Sequence, residues 1–496
     1  MDEGTRPCAS VSKNSESTMA KPFKVVIVGG SVSGLTLAHC LDRLGVDFEL
    51  LERDEHIAPQ LGASLGILPN GARILDQLEL FDEIEKHIEP LAFARIRYAD
   101  GFGFESQYPK ALHESFGYPL SFLERQLFLQ ILYDKIPRKE RLHTNKNVVS
   151  IEFRAASALV KTQDHQTYMA DLVVGADGVH SIVRSEIWRL ANEVSPKLVT
   201  EQEKSSLRLE YACIYGISKN IPKATPGVQR SLLDENLTIH LINGKGSKVF
   251  WFLIYRLPPN QRSKTWHFRD TEAIGICEKL TSKKIDETLS FGDIWSRCSV
   301  YKLTPLEEGM FLRCHFGRLL CIGDAIRKMA PNIGQGANMA IEDAAVLANL
   351  MSLTLQEAGS APSASEIELM LQEFTINRRG RTKAICDHSE FLVRMQANHD
   401  IVKRVLGRYL VPLLKDVPAG LLGSTLEGAQ KLNFLDLGER ASADGWHGSF
   451  RGSLRNLKFF QPRINLGCIF SALAVLLMAG FVFRQDRGNG AMKHSQ

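Results

Sequence analysis

Near its start the chain carries Val25-Val-Ile-Val28, a continuous apolar run ending in two glycines. Such a run marks a strand buried on both faces. A helical pattern follows from Ser33 to Leu44 and a second apolar strand from Val46 to Leu51, so a strand–helix–strand unit is predicted. Between about residues 196 and 304 the spacing becomes alternating: Arg208 to Ile217, Leu237 to Ile242 and Lys248 to Tyr255 read as strands of a separate sheet. The first pattern then returns, with a strand at Arg318 to Ile322 and a helix from Ala337 to Leu355 whose buried face holds Ile341, Ala345 and Ala348. Near the end, Leu466 to Phe483 holds no charge over eighteen residues and is flanked by Arg463 and Arg484.

These patterns predict an α/β chain. Residues 1–21 are polar and expected to be disordered, 22–195 form the first part of a nucleotide-binding domain, and 196–304 form an inserted mixed β-sheet domain. Residues 305–385 complete the first domain and 386–455 are expected to be mainly helical. The segment 466–483 is long enough to cross a hydrocarbon layer of ~30 Å as one helix. The alternative is a buried helix packed on the body of the protein, although Ser471 is its one polar side chain.

The glycines refine the picture. In Val25-Val-Ile-Val-Gly-Gly-Ser-Val-Ser-Gly34 a strand runs into a tight turn and a helix, with Glu52 eighteen residues beyond Gly34 at the end of the next strand. Gly29 and Gly34 serve the turn and the close helix–strand approach, and an acid at that distance suits a ribose hydroxyl. Ser31 stands where glycine is usual, which restricts the backbone there. A second segment, Cys321-Ile-Gly-Asp-Ala-Ile-Arg-Lys-Met-Ala-Pro-Asn-Ile-Gly-Gln-Gly-Ala-Asn338, places Asp324 after a strand and Gly334, Gly336 and Ala337 at a helix start. Unpaired N–H groups at such a start suit anionic or electron-rich ligand atoms.

A third element, Asp171-Leu-Val-Val-Gly-Ala-Asp-Gly-Val-His-Ser-Ile-Val-Arg184, completes a set in which order and spacing resemble the class A flavin-dependent monooxygenases, the group similar to para-hydroxybenzoate hydroxylase, over roughly residues 22 to 385. More narrowly, the Gly-Gly-Ser start, Asn70-Gly71, Glu124-Arg125 and the apolar tail resemble fungal enzymes that epoxidise prenyl chains in meroterpenoid and indole-diterpene pathways. The resemblance implies a Rossmann-like FAD-binding domain, FAD as cofactor and NADPH as co-substrate. It places Glu52 on the adenosine ribose, Gly66 in a loop bordering the flavin, and Arg125 at the phosphate and ribityl region, where the alternative is an ion pair with Glu124. Asp324 would accept a hydrogen bond from the ribityl chain, and Gly334, Gly336 and Ala337 would form the helix start at the flavin. Asp177, with Gly178 and Arg184, would touch both FAD and the nicotinamide, or else Asp177 caps a helix. Arg327 stands where the family usually has histidine, and a fixed positive charge cannot shuttle protons as imidazole does, so no proton transfer is assigned to it. Tyr215, on one strand face with Tyr211, Cys213 and Ile217, is the catalytic candidate, with aromatic packing as the alternative.

Composition narrows the partners. A net charge of +4 without a basic block argues against nucleic acid, and nine scattered cysteines without Cys-x-x-Cys or His/Cys ligand spacing read as reduced thiols and predict no metal site. The N-terminus lacks the apolar core of a secretory signal. The function that the resemblance implies is NADPH-dependent epoxidation of a terminal alkene on a farnesyl- or geranylgeranyl-bearing intermediate, with the product passed to a terpene cyclase. The expected location is a membrane of the endoplasmic reticulum, crossed once, with the catalytic domain facing the cytosol. Aromatic-ring hydroxylation is the alternative within the class; no Trp-x-Trp pair supports a halogenase, and a membrane-tethered flavin-binding scaffold without catalysis is the alternative outside it.

Overall fold

A computed structural model describes residues 22–447 apart from 61–63, 155, 223, 264–267, 360, 414–421 and 424. The N-terminal segment 1–21 and the apolar stretch 466–483 lie outside the described residues, among which no helix is long and apolar enough to cross a membrane.

The predicted opening unit is Lys24–Val28 (β1), Val32–Arg43 (α1) and Asp47–Leu51 (β2). Both strands are parallel members of a six-stranded sheet that also contains Leu172–Gly175, Leu319–Cys321, His315–Phe316 and Leu142–His143. β1 is central, and Val25, Val26 and Ile27 are wholly buried, which is why the strand reads as an uninterrupted apolar run. Two backbone approaches fix the turn after it. Gly29 has φ +105°, and an added Cβ would meet the Ala176 carbonyl oxygen at 2.5 Å; a Cβ on Gly34 would meet the Gly29 carbonyl oxygen at 1.9 Å. Helix α1 can rest on the turn only because Gly34 carries no side chain.

An eight-stranded sheet stands beside this domain. Its order is Arg327–Lys328, Cys298–Met310, Arg208–Lys219, Lys248–Arg256, Leu237–Asn243, Val228–Asp234, Phe93–Tyr98 and Gly103–Ser106. All neighbours are antiparallel except Val228–Asp234 with Phe93–Tyr98, so the sheet is mixed. It recruits residues 93–106 from within the first predicted segment, and its strand Cys298–Met310 runs past residue 304. The pairing of Phe93–Tyr98 with Val228–Asp234 joins residues about 135 positions apart and leaves no local sequence signal.

The long helix Gln335–Ala358 packs on α1, on Pro69–Gln77 and on the helix Ala364–Gln396. It is buried well beyond the predicted Ile341–Ala345–Ala348 face: Asn338, Glu342 and Asp343 are fully buried too. Where they are described, residues 386–447 are mainly helical, as expected, with one exception. Helix continues to Gln396 and in short turns to Leu413, but residues 429–438 form neither helix nor strand. Side chains of other elements hold this strap: Arg73 donates to the carbonyls of Ala429 and Gln430, Gln77 to that of Leu432, and Asn349 to that of Lys431. Its backbone groups are thus satisfied outside regular structure.

Candidate functional site

One cavity of about 570 Å³ collects the glycine-bearing segments, within the roughly 300–1,000 Å³ typical of cofactor clefts. Gly29, Ser31, Glu52, Gly66, Arg125, Asp177, Asp324, Gly334, Gly336 and Ala337 all line it. Gly34 does not; its contribution is the close approach of α1 beneath the turn.

The turn after β1 points helix α1 into this cavity. Ser31 is the N-cap residue of α1, yet its side chain makes no capping bond. Its hydroxyl accepts a hydrogen bond from Arg125 Nη2 at 2.8 Å instead. The φ of −100° at Ser31 is open to any residue, so the usual glycine is not needed there. Glu52 Oε2 accepts from the Gly30 amide at 2.6 Å and Oε1 from Asp54 at 2.9 Å, which holds the acid at the mouth of the turn. Glu124 forms its ion pair with Lys248 at 2.9 Å, leaving Arg125 to the cavity. Arg125 Nη1 is buried and has no partner.

The second helix start faces the same space. Gly334, with φ +65°, is the N-cap of Gln335–Ala358 and offers no side-chain cap. Asn338, one turn in and fully buried, joins this start to the loop at Gly66: its Nδ2 donates to the carbonyls of Gly66 at 2.9 Å and Gly334 at 2.7 Å, and its Oδ1 accepts from the Leu68 amide at 3.0 Å. Gly71 makes room for it, since a Cβ there would meet Asn338 Oδ1 at 2.2 Å. Asp324 pairs with Lys328, which also lines the cavity, and the Asp324 charge outweighs burial in raising the Lys328 pKa.

Asp177 serves structure as well as the cavity wall, whereas Arg184, expected beside the cofactor, does not line the cavity and is held by backbone carbonyls. Asp177 accepts from the Ser181 hydroxyl at 2.6 Å and from the amides of Ile182 and Val183, so it caps the helix Ile182–Val194; burial pushes its pKa up against those bonds. Arg184 donates to the carbonyls of Ala325 and Val179, both at 2.7 Å, and thereby ties the Asp177 segment to the Asp324 segment. Tyr215 does not line the main cavity. It pairs in register with Phe252, which does, and both pack on the buried cluster that holds Tyr211, Cys213 and Ile254. Burial raises the Tyr215 pKa to about 12 with a further push from Cys213, against the pull of the Arg125 charge, so the phenol stays protonated and able to donate.

Arg327 enters a charge network that sequence reading missed. Its Nη1 donates to Asp343 Oδ2 at 2.6 Å, and the Gly323 amide donates to the same oxygen at 2.8 Å. Arg378 bridges Asp343 and Glu342, Arg381 binds both oxygens of Glu342, and Asn70 donates to Glu342 at 2.7 Å. Burial alone would raise the Glu342 pKa, but Arg378 and Arg381 carry it down to about 2. A buried charge survives only when paired this closely. The fixed guanidinium of Arg327 therefore anchors the backbone at Gly323, immediately before Asp324. A helical stripe of Glu342-Asp343 with arginines 35 to 39 residues later was the available signal, but nothing in the sequence said these charges face each other.

Arg125 and two helix starts without side-chain caps, gathered around one cavity, fit a pyrophosphate and a ring with a carbonyl edge. That combination is FAD. A family model described as FAD binding domain matches residues 22–197 and 265–378. The chain belongs to the FAD-binding monooxygenases. It is 55% identical to the FAD-dependent monooxygenase idtM of Claviceps paspali over 93% of this chain and 94% of that protein. It is 53% identical to ltmM of Epichloe festucae (strain Fl1), covering 94% and 98%. Among solved structures, Klebsiella pneumoniae HpxO complexed with FAD and uric acid aligns with a TM-score of 0.65 at 19% identity, covering 82% of this chain and 96% of that one. A salicylate hydroxylase substrate complex aligns with 0.61 at 18%, covering 81% and 98%. These two likenesses establish the fold of the monooxygenase, as the sequence resemblance implied.

Proposed function

We propose that this monooxygenase epoxidises the terminal alkene of a farnesyl- or geranylgeranyl-bearing intermediate in fungal meroterpenoid or indole-diterpene biosynthesis, before a separate terpene cyclase acts on the product. The observation that carries the reading is the wall beyond the FAD cavity. Phe122, Phe252, Pro331 and Gly334 are shared with an adjoining recess whose other lining sets Leu120, Ile242, Ile254 and Leu422 beside the polar Tyr108, Gln229, His240 and Asn332, with no arginine or lysine. A carboxylate-bearing substrate would leave its charge uncompensated there, whereas an unsaturated hydrocarbon chain loses nothing on burial. The fungal relatives idtM and ltmM, both FAD-dependent monooxygenases, support the reaction class.

FAD, when bound and reduced by NADPH, supplies the activated oxygen. The chain's own residues hold and shield. Arg125 and the α1 start bind the phosphates, Asp324 and Glu52 orient the ribityl and ribose hydroxyls, and the Gly334–Ala337 helix start faces the flavin edge. Phe122 and Phe252 exclude water and place the alkene. Tyr215, protonated, donates a hydrogen bond from the sheet side.

The uncharged stretch 466–483 supports a single-pass anchor in the endoplasmic reticulum membrane with the catalytic domain on the cytosolic side, which suits a substrate that partitions into lipid. Product mass spectrometry tests the reading: microsomes with the full chain, NADPH, labelled oxygen gas and a panel of prenylated arenes. One labelled oxygen in an epoxide, or in the diol from its opening, is expected. Label on the ring would establish aromatic hydroxylation, and bound FAD without incorporation would return the scaffold reading.

A further inference from the structure

Arg327 and Lys328 form a two-residue strand at the edge of the eight-stranded sheet, antiparallel to Met310 and Gly309 of the strand Cys298–Met310. Successive side chains of a strand leave on opposite sides. The two neighbouring cations are divided accordingly. Arg327, 2% exposed, turns to Asp343 on the helix Gln335–Ala358, whereas Lys328 is half-buried and lines the flavin cavity.

Lys328 Nζ donates to Asp324 Oδ2, four residues earlier, and among the described residues that is its one hydrogen bond. An ammonium has three N–H donors, so two are left for whatever occupies the cavity. The charges that reach it are those of Asp324 and Glu307, which favour the ammonium, and of Arg125, which opposes it. The Asp324 charge is the largest influence and exceeds the cost of burial, so Lys328 stays protonated. Arg125 is committed to Ser31 at the start of α1, where the phosphates bind, and Asp324 serves the neutral ribityl hydroxyls. Beyond Lys328 the cavity wall continues through Met329, Ala330 and Pro331 to Gly334, the helix start at the flavin edge. A compact ammonium on a flexible stem therefore stands between the ribityl acid and that helix start. FAD acquires one further negative charge beyond its phosphates, and it lies on the ring after reduction.

We propose that Lys328 holds the negative charge of the reduced flavin and thereby sets its reduction potential. In the reduction NADPH gives the oxidised ring a hydride, which is two electrons with one proton; NADP+ leaves and, with no second proton taken up, the ring carries one negative charge. Lys328 meets that charge as an ammonium and keeps its own proton. The Gly334 helix start adds the partial charge of its N–H groups, roughly half a unit, against the full unit of Lys328. This role needs only the FAD site and is the same whether an alkene or an aromatic ring is then oxygenated.

The test uses the full-length holoenzyme in detergent, without substrate or oxygen, and reads the flavin midpoint potential by reductive titration against a reference dye. FAD content and melting temperature report folding. Lys328→Met keeps the stem and deletes the charge. It is expected to weaken binding of reduced FAD about tenfold more than that of oxidised FAD, which for a two-electron couple lowers the potential by about 30 mV. Lys328→Arg keeps the charge and is expected to return most of that shift. Lys328→Gln is expected to behave as the methionine variant does and takes its place should that variant fail to fold. If a variant loses its flavin, titration of the apoprotein with oxidised and with reduced FAD gives the same ratio. A potential unchanged in Lys328→Met, or lowered as far in Lys328→Arg, overturns the proposal and leaves Lys328 as a partner of Asp324 alone. The wild-type protein supplies a check free of any substitution. A slope of about 30 mV per pH unit near neutrality, one proton for two electrons, is expected; about 60 mV per pH unit would mean that the reduced ring takes up a second proton and leaves Lys328 no charge to hold, which also overturns the proposal.

Discussion

Replacing Arg125 with methionine separates a cofactor-binding role from a structural one. Methionine preserves much of the apolar stem and volume while deleting the guanidinium. In the protein without FAD two effects oppose each other. The hydrogen bond from Nη2 to Ser31 at 2.8 Å is lost, which costs about 1.5–3 kcal/mol for a charged donor. The buried, partnerless Nη1 disappears as well, which relieves about 1–3 kcal/mol. The net change is about 1 kcal/mol or less, so the melting temperature of the apoprotein should move by no more than about 2–4 °C. FAD binding has no such compensation. A lost charge-assisted contact of about 2–3 kcal/mol raises the FAD Kd about 30- to 150-fold. Fluorescence titration of apoprotein with FAD gives the first quantity and thermal unfolding without FAD the second. An unchanged Kd together with a melting temperature lowered by ten degrees or more would show that Arg125 holds the fold, and the reasoning from its unpaired nitrogen would fail.

Asp324→Ala is expected to leave the chain folded but poor in flavin, with Lys328 losing its partner; purified protein that retains full FAD by absorbance would refute the assignment. Arg378→Met strips Asp343 and Glu342 of a shared partner and should cost about 3–5 kcal/mol, read as a large drop in melting temperature, with little change signifying that the remaining arginines suffice. The depressed Glu342 pKa gives stability that is complete above its unfolded value of about 4.3 and is lost as pH falls toward about 2. Glu342→Gln should therefore flatten the acid-side decline of melting temperature in that window, and an unaltered slope would mean that another carboxylate governs it. Tyr215→Phe should keep FAD content and lower kcat at least tenfold, whereas unchanged turnover would leave Tyr215 as packing on the cluster that holds Tyr211, Cys213 and Ile254.

Local signals determined a large part of this protein. A strand buried on both faces must be apolar throughout, a helix resting on a tight turn must have glycine where the backbones touch, and a helix start that receives an anion must lack a bulky cap. Those demands act on neighbouring residues, so Gly29, Gly34, Glu52 and the Gly334–Ala337 start could be selected from their spacing and Asp324 from the resemblance, and all but Gly34 line one cavity. What tertiary structure decided were the pairings between residues far apart. Ser31 acquires Arg125 in place of a capping role, Asn338 stitches Gly66 to Gly334, and Arg327 meets Asp343 inside a network completed by Arg378 and Arg381. The strand Phe93–Tyr98 joins the second sheet, and His240 finds Ser231 across the neighbouring strand pair. Hydrophobic periodicity reports which face of an element is buried, but it carries no information on which other element covers that face. Buried polar groups are satisfied by whatever the fold brings opposite them, and that is set only when the chain closes on itself.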